Sequence, residues 1–316
     1  MGATTRPLTV SISGGRLRFE GGDPGRRLRL ASSLRTTLGD TVRPTGHGYS
    51  LPLAAAHQLA DLLNDRQVQW DGIARRQVEA AESRRRRQSG AALEIADAIA
   101  DPDEALRGLD LGVELDRHQR EAAAAIAAPS ATGLALFDEQ GTGKTISALA
   151  GFAILRRRGQ VQRALIVTPK SVVGTWTTDA KRVLGHDARV ELASGDARRR
   201  RRAIRSRHDV LIANYEAVVA EVGTFSLVLG AAPDRYLLII DESFFAKNAK
   251  TRRSEALWEL RQRCRRAVVL CGTPAPNRPW DIVNQVNLAD GGIAFGGVVQ
   301  PHGQSGVSGH SGPHGL

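Results

Sequence analysis

Asp138-Glu-Gln-Gly-Thr-Gly-Lys-Thr145, placed directly behind the apolar run Leu134-Ala-Leu-Phe137 and opening a helical segment, is the stretch that decides how this chain is read. A glycine-rich turn between a buried strand and a helix start is where backbone N–H groups and the positive end of the helix converge on one anion. Gly141 and Gly143 allow the backbone of Gln140, Thr142 and their neighbours to curl around one centre. Lys144 then reaches the terminal phosphates of a nucleotide, and Thr145 offers its hydroxyl to magnesium. The generic pattern opens on glycine, and Asp138 stands there instead, so this match is incomplete.

The second half of such a site follows downstream. Leu237-Leu-Ile-Ile240 is an apolar strand that runs into Asp241-Glu242. In open α/β sheets the carboxyl ends of the strands are where ligands collect. Asp241 is placed to hold magnesium through water, and Glu242 to position or deprotonate an attacking water.

Working outward, short β-branched or leucine-rich runs alternate with helical segments from about Val113: Leu134-Phe137, Leu165-Thr168, Val210-Ala213, Leu237-Ile240 and Ala267-Cys271. This rhythm predicts βαβ units, hence an α/β fold with a parallel sheet covered on both faces. Residues 1–112 lack the rhythm and read as a smaller α+β accessory region. Leu8–Ser13 and Arg16–Glu20 are expected strands there, Ser50 is the expected cap of a helix through Asn64, and two helices, Asp71–Gln88 and Ala91–Leu109, are expected on either side of Ser89-Gly90. Residues 113–290 form the main lobe. Residues 291–316 are a Gly/Ser/His tail without apolar periodicity, expected to be disordered.

Composition narrows the function classes. The net charge of +11 and pI near 10.6 favour a polyanionic partner, because surface lysine and arginine displace condensed counterions from nucleic acid. Only five of the 44 basic residues are lysine, namely Lys144, Lys170, Lys181, Lys247 and Lys250, so each is a candidate for a role arginine fills poorly. Cys264 and Cys271 are the two cysteines, too few for a disulfide framework or a four-ligand zinc site, and read as inert thiols. No apolar run long enough for a membrane span and no secretory leader is visible, so the expected compartment is the cytoplasm and no membrane partner is expected.

Taken in order, these segments resemble the SWI/SNF-type ATPases of helicase superfamily two, which translocate on double-stranded DNA. The resemblance runs from about Leu115 to Leu288. Asp138 is the residue that family prefers at the first position of its glycine loop. Leu115-Asp-Arg-His-Gln119 is similar to its adenine-reading motif, with Gln119 able to pair with both edges of the base. Ala164-Leu-Ile-Val-Thr-Pro-Lys-Ser171 with Trp176, and Asp209-Val-Leu-Ile-Ala-Asn-Tyr-Glu216, resemble two DNA-contacting motifs. The resemblance implies backbone and small polar contacts to a phosphate strand at Thr168, Pro169, Lys170, Asn214 and Tyr215. Asp241-Glu-Ser-Phe-Phe-Ala-Lys-Asn248 matches the acidic motif, with Ser254 at the family's spacing, and Gly272-Thr-Pro-Ala-Pro-Asn277 matches the coupling motif through Gly272, Thr273 and Asn277. It implies a RecA-like P-loop NTPase lobe, ATP and Mg2+ as cofactors, and duplex DNA as partner.

One departure stands out. The family usually has Ala-His after its two acids, whereas this chain has Ser243-Phe244, and phenylalanine cannot make the histidine's hydrogen bond. The matched segments also stop before the family's second lobe, which carries arginine fingers worth about 10³ to 10⁵ in rate. The expectation is therefore Mg-ATP binding with weak or no hydrolysis by the chain alone. A truncated or frameshifted product, a split enzyme with its second lobe on a partner chain, and a regulatory module all fit this reading. Two basic runs, Arg84–Arg87 and Arg198–Arg202, read either as solvated helix faces or as phosphate-contacting patches. His302, His310 and His314 lack the carboxylate or cysteine partners of a metal site.

Overall fold

Ala267, Val268, Val269 and Leu270 show how the main sheet is built: consecutive residues point into alternate cores, and all four are buried. A strand that is apolar at every position has to be covered on both faces, which is the signature of a parallel sheet between helical layers. The computed structural model describes residues 7–13, 16–232, 235–275, 278, 281–292 and 294. Asn277, Trp280, residue 293 and residues 295–316, including the three tail histidines, lie outside these described residues.

In chain order the elements are β1 (Leu8–Ser13), β2 (Arg16–Gly21), α1 (Pro24–Leu38), β3 (Arg43–Pro44), β4 (Gly48–Pro52), a 3-10 stretch (Leu53–Leu62), β5 (Val68–Trp70), α2 (Gly72–Ala100) and α3 (Pro102–Leu106). There follow α4 (Arg117–Ile126), β6 (Gly133–Leu136), α5 (Lys144–Arg157), β7 (Arg163–Thr168), α6 (Val173–Leu184), β8 (Val190–Ala193), α7 (Ala197–Arg205) and β9 (Val210–Asn214). The lobe ends with α8 (Tyr215–Ala220), α9 (Val222–Gly230), β10 (Tyr236–Ile240), α10 (Arg252–Arg261), β11 (Arg266–Leu270) and α11 (Asp281–Asp290).

The main sheet has the order β6-β11-β10-β7-β9-β8, with every pairing parallel. One face packs on α4, α5 and α6 through residues such as Ile126, Phe152 and Trp176, and the other on α9, α10 and α11 through Phe225, Leu257 and Leu288. All five expected strands are present, within a residue or two at their ends. β8 is an additional edge strand whose Val190 and Leu192 are only partly covered, so the continuous apolar signal is missing there.

The accessory region carries its own mixed sheet, β3-β4-β2-β1-β5, in which β1 and β5 are parallel and the other pairs antiparallel. Leu8, Val10, Leu17, Phe19 and Leu51 line its core against α1 and α2. Three expectations are corrected here. Ser50 is not a helix cap but lies in β4, paired with Arg18 and Arg43, and the helical turn starts only after Pro52. α2 runs unbroken through Ser89-Gly90, because an exposed glycine inside a long helix costs only about 1 kcal/mol; the break comes at Asp101-Pro102, where proline removes a donor. α1 was not expected at all. Asp23 caps it by accepting from the Arg26 N–H at 2.7 Å with Pro24 in its first turn, but it buries only Ala31 and Leu34, too little for an apolar stripe.

Among the described residues no helix is long and apolar enough to cross a membrane. Both cysteines are buried, and burial pushes the Cys264 thiol up to about 12, in keeping with an inert role for it.

Candidate functional site

The parallel order places the ends of β6, β11 and β10 side by side, so the glycine loop, the Gly272 loop and the acidic pair share one rim of the sheet. Segments far apart in the chain meet here because each follows a strand of the same sheet.

The glycine loop turns into α5 with Gly141 at φ 84° and Gly143 at φ 78°, a left-handed backbone that favours glycine. At Gly143 a Cβ would stand 2.2 Å from Gln119 Nε2, so that side chain would have to swing aside. Lys144 folds back over the loop and donates to the carbonyl oxygens of Asp138 (2.9 Å) and Glu139 (2.6 Å). Thr142 Oγ1 donates to the Glu139 carbonyl at 3.0 Å, and Gln140 and Gly141 are exposed while Thr145 is half-buried. Gln119 is tied to the same loop: Nε2 donates to the Thr142 carbonyl at 3.2 Å, and Oε1 accepts from the Asp116 N–H at 3.1 Å. His118 Nε2 contacts the same Thr142 carbonyl at 2.8 Å.

The acidic pair is held from below. Asp241 Oδ2 accepts from Thr168 Oγ1 at 2.8 Å and from Trp176 Nε1 at 2.7 Å, while Oδ1 accepts from the Glu242 N–H at 3.0 Å. Thr168 and Trp176 are buried. Tyr215 is buried too, and its hydroxyl donates to the backbone carbonyls of Asp241 (2.6 Å) and Glu242 (3.2 Å). Burial first, and then Asp241 and Glu242, hold the Tyr215 phenol well above its usual value, so it stays a donor. Glu242 is the one non-glycine residue with positive φ among the described residues, at φ 48°. Strained backbone of this kind concentrates at functional positions. Burial and the adjoining Asp241 raise the Glu242 carboxyl, and the Lys144 ammonium opposes them, a sign that glycine loop and acidic pair feel each other's charge.

The nucleic-acid assignments divide. Thr168 and Tyr215 turn their side chains inward onto the acidic pair, so at these two positions only backbone remains for an outside partner. Lys170 is exposed and Pro169 half-buried. The Asn214 side chain accepts from the Ala217 N–H at 2.7 Å and so caps α8. In the run Arg198–Arg202 the two readings also part: Arg200 and Arg201 bind the buried Glu221 at 3.1 and 2.8 Å, whereas Arg198, Arg199 and Arg202 are exposed on α7. Within the α2 run, Arg85 and Arg86 pair with Glu82 at 3.1 and 2.8 Å.

The Gly272 loop packs directly on the glycine loop: a Cβ at Gly272 would lie 2.7 Å from Gln140 Cγ, and Thr273 is exposed. The Phe244 side chain offers no hydrogen bond; its ring lies 4.5 Å from Lys247 Nζ, which pairs with Asp281 at 3.2 Å. The side chain that bridges these motifs is Gln285 on α11, which accepts from Ser243 Oγ at 2.6 Å and donates to the Pro274 carbonyl at 2.6 Å. Sequence reading missed Gln285. The available signal was a polar amide at helical spacing from Ile282, Leu288 and Ala289 on α11.

A parallel sheet sandwiched by helices, with a glycine loop opening α5 and an acid pair closing β10, defines a RecA-like P-loop lobe. The model of the SNF2-related domain matches residues 61–294, well over half of the chain, and the protein belongs to that family. The match starts well upstream of Leu115 and takes in α2 and α3, which motif reading had left in the accessory region. Mouse DNA repair and recombination protein RAD54B is 30% identical over 169 residues, 51% of this chain and 18% of that protein. The SWI/SNF-related matrix-associated actin-dependent regulator of chromatin subfamily A-like protein 1 of Xenopus tropicalis is 32% identical over 153 residues, 48% of this chain and 15% of that protein. The chain thus spans less than a fifth of the length of either relative. The Sulfolobus solfataricus SWI2/SNF2 ATPase core, solved with dsDNA, superposes with TM-score 0.50 at 20% identity over 58% of this chain and 37% of that one, a likeness of fold.

Proposed function

We propose that this chain is the Mg-ATP-binding lobe of a duplex-DNA-dependent ATPase of the SWI/SNF type. The observation that carries the reading is the meeting of Lys144, Asp241 and Glu242 at one rim of the sheet, with Asp241 pre-oriented by Thr168 and Trp176. The donor set fits the nucleotide. The N–H groups of Gly141 to Thr145 stand at the positive end of a 14-residue helix, and Lys144 has only loop carbonyls to leave when phosphate oxygens arrive. Thr145 and Asp241 are the residues to hold Mg2+, which supplies charge neutralisation on the phosphoryl group when bound. Glu242, with its raised carboxyl, accepts the proton of the attacking water. Gln119 exchanges its bond to the Thr142 carbonyl for the base edge. Pro169, Lys170 and the backbone of Thr168 and Asn214 face a phosphate strand, contacts that position DNA without reading sequence. Arginines from a second lobe would complete the site.

A second reading, a nucleotide-gated binding module without turnover, is favoured by Phe244, which leaves the acidic motif without the family's usual side-chain link. Steady-state ATP turnover with and without duplex DNA, with the separately expressed second lobe of an SNF2-family relative added in trans and Lys144→Ala as blank, separates the two. DNA-stimulated turnover above the blank supports the ATPase. Turnover equal to the blank, with Mg-ATP binding abolished only in Lys144→Ala, supports the module. Equal Mg-ATP binding by wild type and Lys144→Ala would defeat both.

A further inference from the structure

We propose that Gln285 and Ser243 form a positioning relay that ties the Gly272–Pro274 loop to the backbone of Glu242. The inference rests on the nucleotide reading above and adds to it a path by which the glycine loop and the water-activating acid move together. Both side chains are fully buried, at 0% exposure. The Gln285 amide is used at each of its poles: Oε1 accepts from Ser243 Oγ at 2.6 Å, and Nε2 donates to the carbonyls of Pro274 (2.6 Å) and Asp281 (2.8 Å). Rotating the amide by half a turn would set its oxygen against two carbonyl oxygens, so one orientation is fixed.

Each end of this bridge leads to the site. Ser243 directly follows Glu242, whose left-handed backbone is pinned on its other side by the Tyr215 hydroxyl, which donates to the Asp241 carbonyl at 2.6 Å. Strained backbone held between two anchors follows either anchor when it moves. At the other end, Pro274 is two residues from Gly272, which touches Gln140 of the glycine loop so closely that no Cβ fits. The circuit is therefore glycine loop, Gly272, Pro274, Gln285, Ser243, Glu242. The side chain of Phe244, next in the chain, has no hydrogen-bonding atom with which to offer a parallel route. α11 also grips the acidic turn at Lys247–Asp281 and through the Asn284 amide on the Ala246 carbonyl, so the helix is a firm base for the bridge.

The test is hydrogen–deuterium exchange of the full chain with and without Mg2+ plus a non-hydrolysable ATP analogue, on wild type, Ser243→Ala, Gln285→Met and the double variant. Ser243→Ala removes one hydroxyl, and Gln285→Met keeps the length and packing of the side chain while removing its hydrogen bonds. In wild type the analogue slows exchange in residues 140–145, in residues 272–275 and, by about fivefold, in residues 242–246, the lower end of ordinary coupling between sites. In the variants the responses of 140–145 and 272–275 and the analogue affinity are kept, while that of 242–246 shrinks below about twofold; thermal melts check that each variant is folded. A full response of 242–246 in the double variant overturns the relay, as does a wild type that responds in 140–145 alone. No response anywhere in wild type is a different failure: it removes the nucleotide reading, and the relay with it.

Discussion

Thr168→Val is the sharpest test of how the acidic pair is set. Valine matches threonine in shape, and the side chain is buried, so the change deletes a single hydroxyl from the Asp241 cradle. In the native structure Asp241 Oδ2 receives two hydrogen bonds, from Thr168 at 2.8 Å and Trp176 at 2.7 Å, and Oδ1 receives one from its neighbour's backbone. A hydrogen bond to a charged group contributes about 1.5–3 kcal/mol. The Trp176 bond remains, so the smaller figure applies, equal to a factor of roughly 10 in affinity. Groups that orient metal ligands carry effects of about 10- to 100-fold, which agrees. In the proposed role Asp241 acts through Mg2+, so the weakening has to appear in the ratio of nucleotide affinities with Mg2+ and with EDTA. A fluorescent ATP analogue titrated under both conditions measures it. Trp176→Phe should act in the same direction, and the double variant should lose less than the sum, since both donors serve one oxygen. An unchanged Mg2+ ratio in Thr168→Val, or an equal weakening in EDTA, would show that Asp241 does not act through the metal.

Two further predictions concern charge. Burial, and next Arg163, lower His208 from its ordinary 6.5 to about 4, so the folded chain holds it neutral. Its contribution is fully present above about pH 6.5 and declines as pH falls toward 4, because the unfolded chain takes up the proton first; the slope is about 1.4 kcal/mol per pH unit, or about 2 kcal/mol by pH 5. Urea midpoints across this range should show that slope in wild type and lose it in His208→Gln, and parallel curves would refute the assignment. On α7, Arg198, Arg199 and Arg202 are exposed, and replacing them by glutamine should flatten the log–log dependence of DNA affinity on salt by about 0.9 for each phosphate no longer neutralised. The same change at Arg200 and Arg201 should chiefly lower stability, since it strands the buried Glu221; the opposite pattern would move the DNA surface.

Why some of this was readable and some was not follows from chain distance. The glycine loop, the acid pair and the strands that deliver them are local patterns: left-handed glycines, a helix start and consecutive apolar residues specify backbone shape within a few positions. Those segments were found where expected. α1 and the unbroken α2 were not, because a helix that buries two residues, or one that tolerates an exposed glycine, leaves only a weak apolar period. Ser50 looked like a cap only while its strand partners were unknown; pairing with β2 and β3 decides it.

The sequence by itself determined the α/β class, the glycine loop around Lys144 and the place of the acids Asp241 and Glu242 at a strand end, since these are set by residues adjacent in the chain. Only the tertiary structure decided that the side chains of Thr168, Trp176 and Tyr215 bond to the acidic pair, that Glu221 pairs with two of the five arginines of a run, and that Gln285 joins two motifs. Thr168 and Trp176 lie 73 and 65 residues from Asp241 along the chain. What brings them within hydrogen-bonding reach is the place of β7 beside β10, and strand order arises from how the whole sheet buries its two faces.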